Sequence, residues 1–221
     1  MKRMLLGIAV ALATLNGFGQ GTVFFYNRTA LEISHVWGSP AYYLSLVGPG
    51  PNDSPSGTTD YAGAGMVLIG ANGTGGVYGG ATTFAQLLSA NGANQPESSL
   101  VPMGQTTTFR TGAAAGNLFP ITDILEGVPP DSPAATLEMV AWDNSSGLYP
   151  TWTQASVAWR SGVILACGMS GAFTVYAIGG NVNTPPSLPI PSFNLYPTPE
   201  PSTFALVGLG AAMLVIARRR K

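Results

Sequence analysis

The side chains able to do chemistry are few and scattered. His35 is the only histidine and Cys167 the only cysteine. Nine carboxylates (Glu32, Asp53, Asp60, Glu97, Asp123, Glu126, Asp131, Glu138 and Asp143) fall between residues 20 and 198. One imidazole cannot supply the two or three histidines of the usual zinc sites. It could serve a Ser-His-Asp triad, but the nearest nucleophile-elbow string, Gly168-Met169-Ser170-Gly171-Ala172, lacks the final glycine. His35 shares a strand face with Leu31, Ile33 and Trp37 and reads as structural. Cys167 has no basic neighbour in sequence to lower its pKa, so a buried, inert thiol is expected. Being alone, it forms no intramolecular disulfide.

Two chemistries directed at carbohydrate remain. A carboxylate pair could hydrolyse a glycosidic bond, although no local string singles out two of the nine acids. Alternatively, aromatic rings could stack on sugars. Trp142, Asp143, Asn144, Tyr149 and Trp152 lie close together in sequence and form the best candidate carbohydrate platform. The glycine-rich run at 70–76 lacks the Gly-Lys-Ser/Thr of a phosphate loop and reads as a hairpin turn. Asn52, Asp53, Ser54 and Asp60, and likewise Asp143, Asn144 and Ser145, offer oxygen ligands without the spacing of an EF-hand. No metal, cofactor or catalytic residue is assigned, and the body is expected to be non-enzymatic.

The elements that must carry these residues have a period of two. Leu137, Met139 and Ala141 alternate with Glu138, and Phe173, Val175 and Ala177 alternate with Thr174 and Tyr176. Further strands are expected at 23–26, 31–37, 42–47, 66–69, 83–88, 106–110 and 162–167, with glycine and proline in nearly every gap. Trp152, Ser156 and Trp159 recur at helical spacing, so 151–159 is a short helix or an ordered crossover. The expected fold is all-β, an antiparallel β-sandwich of jelly-roll or immunoglobulin-like type.

Charge is sparse, at 9% of 221 residues, against roughly 25% in ordinary soluble domains. Six of the nine cations lie at the two ends. The stretch 20–198 therefore holds only Arg28, Arg110 and Arg160 against its nine acids, a net charge of −6. Nucleic acid is excluded as a partner.

The ends read as addresses. Lys2 and Arg3 precede an uncharged stretch at 4–15, then Gly17 and Gly19. This is the pattern of a cleavable signal peptide over 1–19, too short to span a bilayer and handled by signal peptidase. At the other end an uncharged stretch at 202–217 is closed by Arg218, Arg219, Arg220 and Lys221. As a helix it would extend roughly 24 Å and form a transmembrane span, with the cations halting translocation in the cytoplasm. The body would occupy 20–184, and the prolines of 185–198 suggest an extended, solvated linker. Pro199, Glu200 and Pro201 then stand at the membrane edge.

Pro-Glu-Pro, a short apolar span and a terminal arginine cluster, in that order over 199–221, resemble the PEP-CTERM sorting signal of diderm bacteria. The resemblance implies processing near Pro199-Glu200-Pro201 by an exosortase, a membrane-embedded cysteine transpeptidase-like enzyme. It also implies passage from an inner-membrane intermediate to the cell surface or an exopolysaccharide matrix. The body resembles a group of uncharacterised PEP-CTERM proteins in Gln20-Gly21-Thr22-Val23-Phe24-Phe25-Tyr26-Asn27-Arg28, Ser99-Leu100-Val101-Pro102, Thr107-Thr108-Phe109-Arg110-Thr111-Gly112-Ala113 and Val140-Ala141-Trp142-Asp143. These strings are strand-like and carry no catalytic chemistry. The expectation is an exported surface or matrix protein whose body contacts exopolysaccharide or other envelope components. The alternatives are an exported polysaccharide hydrolase using an acidic pair, and a permanently anchored envelope protein.

Overall fold

The computed structural model describes residues 19–30, 32–39, 44–163 and 166–197. Ten strands and one helix follow in order: β1 (Gly21–Phe25), β2 (Val36–Gly38), β3 (Val67–Leu68), β4 (Thr83–Asn91), β5 (Val101–Thr108), β6 (Ile121–Leu125), β7 (Ala134–Asp143), α1 (Trp152–Arg160), β8 (Cys167–Met169), β9 (Phe173–Tyr176) and β10 (Phe193–Leu195). The described fold is all-β, with sheets built mainly of antiparallel pairs.

The largest sheet runs β5-β4-β7-β8, with β9 also on β7. Its centre is the β4–β7 pair, in register from Thr83 opposite Asp143 to Asn91 opposite Ala135. Every residue of β7 is buried, because both of its faces are covered. Leu137, Met139 and Ala141 join Ala85 and Leu87 of β4 in the main core, with Val23 and Phe25 of β1, Leu125 of β6 and Phe193 and Leu195 of β10. Val140 and Trp142 point the other way, into a second core roofed by Trp152, Ala155, Ala158 and Trp159 of α1. The helix presents Thr153, Gln154, Val157 and Arg160 to solvent, as the spacing of an amphipathic helix requires.

Two smaller sheets complete the fold. β1 pairs antiparallel with β6, and β2 lies between β3 and a parallel β10. Sequence periodicity misses β6 and β10. In β6 the inward side chains are Asp123 and Leu125, so a buried carboxylate interrupts the apolar alternation. Gly104 permits this arrangement. Its φ of +73° turns the β5 backbone over Asp123, and a Cβ there would overlap the carboxylate.

The segment expected as a solvated linker at 185–198 belongs to the body as far as Pro197. Proline does hold it extended, but Leu188, Ile190, Phe193 and Leu195 are buried in the main core. Apolar residues between the prolines give the strap an inward face, which a linker lacks. Gly168 lets it lie close to β8, since a Cβ there would strike the Asn194 carbonyl. The strap ends at Tyr196, whose N–H donates to the Cys167 carbonyl at 2.9 Å. The expected strand at 31–37 shortens to β2. The expected strand at 42–47 lies partly outside the described residues, and Val47 makes only an isolated bridge to Phe193. All but Gly19 of the signal peptide expected at 1–19, the tripeptide Pro199, Glu200, Pro201 and the expected span with its cluster Arg218, Arg219, Arg220 and Lys221 also lie outside the described residues. Among the described residues no helix is long and apolar enough to cross a membrane.

Candidate functional site

The platform nominated from sequence does assemble, but inside the protein. Trp142 is fully buried, and its indole N–H donates to the Tyr149 carbonyl at 2.8 Å. Its ring packs against Phe84 at 5.8 Å and Trp152 at 5.9 Å. Trp152, Asp143 and Asn144 are buried as well, and the Asn144 amide oxygen accepts the Tyr149 N–H at 2.8 Å. Tyr149 alone keeps part of its surface in water. The aromatic faces that stacking on a sugar requires are thus occupied by one another. The reason is the helical spacing of α1, which turns Trp152 and Trp159 inward over β7.

An open site forms where β2, the 48–62 loop and the C-terminal strap meet. Trp37 stacks on Tyr61, with ring centres 5.2 Å apart and planes 2° from parallel. Beside them His35 places Nδ1 2.6 Å from an Asp53 oxygen. The other Asp53 oxygen accepts the Gly50 N–H at 2.6 Å and a short hydrogen bond from the Ser192 hydroxyl. Ser192 Oγ accepts the His35 backbone N–H at 2.8 Å. The Tyr61 hydroxyl lies 2.8 Å from the carbonyls of both Gly48 and Ser192.

Burial pushes the Asp53 carboxyl up, but the hydrogen bonds from His35, Ser192 and Gly50, with the imidazole charge, outweigh it and hold it below the ordinary carboxylate range. An ionised Asp53 requires the short contact to carry its proton on His35 Nδ1. The serine bonds the carboxylate and not the imidazole, so this is not the relay of a Ser-His-Asp triad. Burial, and then the charge of Asp53, push the Tyr61 hydroxyl far up, so it remains a neutral donor.

His35, Trp37, Asp53 and Tyr61 line a cavity of about 190 Å³ together with Asn52, Thr59 and Asp60. Asp60 is exposed, and its Oδ1 accepts the Gly63 N–H at 2.7 Å. An aromatic wall with carboxylate, amide and hydroxyl groups at the rim is suited to binding a hydroxylated ligand. A shallower groove of about 550 Å³ runs between Thr29, Glu32, Thr174, Tyr176 and Pro186. Among the described residues no three histidine, cysteine or carboxylate groups gather as metal ligands.

The acids whose pKa values rise stand elsewhere. Burial lifts Asp123 to about 6 against the hydrogen bonds from Gln105 and Ile124. Burial and then the charge of Glu97 lift Glu138 to about 7. Burial raises Asp143 against its bonds to Ser145. None of the three lines either cavity. Cys167 is buried, and burial followed by the charge of Asp143 pushes its thiol far up, the opposite of an activated nucleophile.

Sequence reasoning placed His35 and Trp37 on one strand face, but it missed their joining to Asp53, Tyr61 and Ser192. Separations in sequence of 18 and 139 residues divide Asp53 from His35 and from Ser192. The usable signal was an acid in a glycine- and proline-rich loop.

Comparison with protein families gives one match: the PEP-CTERM protein-sorting motif, at residues 197–221. The match begins directly after Tyr196, the last residue bonded into the body among the described residues. No curated protein and no solved structure matches the chain. The chain thus carries the sorting motif of exported proteins handled by an exosortase.

Proposed function

We propose that this chain is an exported surface or matrix protein. A signal peptide starts its export, the 202–217 span holds it in the inner membrane, and an exosortase processes it near Pro199-Glu200-Pro201. The body then acts without catalysis, binding exopolysaccharide or another hydroxylated envelope component at the Trp37–Tyr61 cavity. In this reading the large sheet and the two small ones form a sandwich that carries the cavity at one edge.

The observation that supports the reading is the sorting motif at 197–221, set immediately after the body's last anchored residue. Mass spectrometry of the mature protein tests it. The expected C terminus lies near Glu200, and Glu200→Ala accumulates uncleaved chain in the membrane. Recovery of Arg218, Arg219, Arg220 and Lys221 on mature surface protein would overturn it. Retention of native exopolysaccharide on a column tests the binding half: Trp37→Ala is expected to lose retention, and unchanged retention would remove the cavity from the proposal.

A further inference from the structure

We infer that the face of the body around the chain exit, formed by the outer side of α1, the 161–163 turn and Leu44, lies against the non-cytoplasmic lipid headgroups while the tail spans the bilayer. This rests on the proposed spanning tail and adds to it an orientation and a contact surface.

The exit point is fixed. The Tyr196 carbonyl accepts the N–H groups of Cys167 and Trp159, each at 3.3 Å, and its ring meets Trp159 edge-on at 5.2 Å. Its hydroxyl is bonded to Ser45. The last turn of α1 and the 44–46 segment are therefore the immediate surroundings of the exit. Only residues 197–201 separate Tyr196 from the uncharged span. Fully extended, that interval reaches about 20 Å, of which the headgroup layer takes roughly 5–7 Å. A tether this short cannot turn the far end of the body toward the lipid. β7 runs about 30 Å from the neighbourhood of Cys167 to that of Asp131 and Val182.

The surface at the exit has matching chemistry. Val157 and Val163 are 64% and 65% exposed, and Leu44 is 47% exposed. Val157 and Arg160 are neighbours on one helix face, and the Val163 N–H closes the helix end on the Ala158 carbonyl. Arg160 is exposed and makes no ion pair among the described residues. The body's other two cations are tied down, Arg28 to Asn117 and Arg110 to Tyr26. In a body of net charge −6, an apolar strip that carries a cation is matched to a lipid surface with anionic headgroups.

The test uses the full chain in vesicles of phosphatidylethanolamine and phosphatidylglycerol containing a headgroup-attached nitroxide. Cys167→Ala carries a fluorophore at Val157→Cys, Val163→Cys or, as the distant control, Val182→Cys. Quenching is expected to be severalfold stronger at 157 and 163 than at 182, and to weaken at 157 when Arg160→Glu is added. Resistance of the tail to added carboxypeptidase is scored in the same vesicles. A protected tail with equal quenching at all three positions overturns the contact face and leaves the spanning tail standing. An unprotected tail overturns both.

Discussion

The Trp142–Trp152 cluster and the Trp37–Tyr61 cavity are made of nearly the same residue types, yet one is sealed and the other leaves Trp37 partly exposed above a buried Tyr61. Around Trp142 a helix, two strands and a turn close over the rings, and the indole N–H is satisfied by the Tyr149 carbonyl. Around Trp37 a three-residue strand and a loop supply only one wall, and the polar groups of Asp53, Ser192 and Tyr61 fix the floor. An aromatic-rich string is thus a binding surface only when its neighbours leave a ring uncovered, and that depends on topology rather than composition.

The difference is most directly broken from the sealed side. Trp142→Ala removes the largest fully buried side chain and leaves a cavity under α1 that the rigid β4–β7 pair cannot fill. The expected loss is about 4 kcal/mol, read from urea unfolding midpoints. Trp37→Ala, at a partly buried position, is expected to cost about 1–2 kcal/mol. Equal losses would mean that the cavity is as closely packed as the core. Asp53→Ala comes next, at about 3 kcal/mol, because His35, the Ser192 hydroxyl and the Gly50 N–H lose their common acceptor. Since Ser192 adjoins β10, hydrogen exchange of 193–195 should accelerate in this variant. Unchanged exchange there would detach the network from the strap.

The buried acids have opposite pH responses, Asp53 at the cavity against Asp123 in β6 and Glu138 in β7. Asp53 has a lowered pKa, so its stabilisation is complete above the ordinary carboxylate range and is lost as pH falls through its folded value. Asp123, near 6, and Glu138, near 7, are raised, so the folded state binds their protons more tightly than the unfolded chain does. Stability therefore declines as pH rises from about 4 to 7. The melting temperature should peak on the acid side of neutrality. Glu138→Gln should flatten the decline and stabilise the protein at pH 7 by about 1 kcal/mol. A wild-type curve level between pH 4.5 and 7 would show that Glu138 is ionised without penalty.

Much of the fold was legible because it rests on period-two alternation: β1, β4 and β7 overlap expected segments but run beyond them, β9 lies within one, and the short helix follows from Trp152, Ser156 and Trp159. β10 was hidden because proline density signals extension without saying whether the extended chain is wet, and only Leu188, Ile190, Phe193 and Leu195 together reveal an inward face. The sorting tail was legible as a contiguous string. The cavity was not, because Asp53 and Ser192 meet through long-range pairings, the parallel β2–β10 pair and the bond of the Gly48 N–H to the Ser192 carbonyl, which no local pattern encodes.

The smallest effect separates the two indoles most sharply. Trp37 Nε1 is buried without a hydrogen-bond partner among the described residues, whereas Trp142 Nε1 is bonded. Phenylalanine keeps an aromatic ring at either position and deletes the N–H. At 142 the change leaves the Tyr149 carbonyl without its donor and should cost about 1–2 kcal/mol. At 37 it removes a donor whose desolvation nothing offsets, so the gain counters the lost ring area and the net change should fall within about 0.5 kcal/mol of zero. Urea midpoints of Trp37→Phe and Trp142→Phe measured side by side give the answer. A Trp37→Phe loss as large as that at 142 would mean that the indole N–H has a partner in solution, which the exopolysaccharide column could then identify as ligand or water according to whether Trp37→Phe also loses retention.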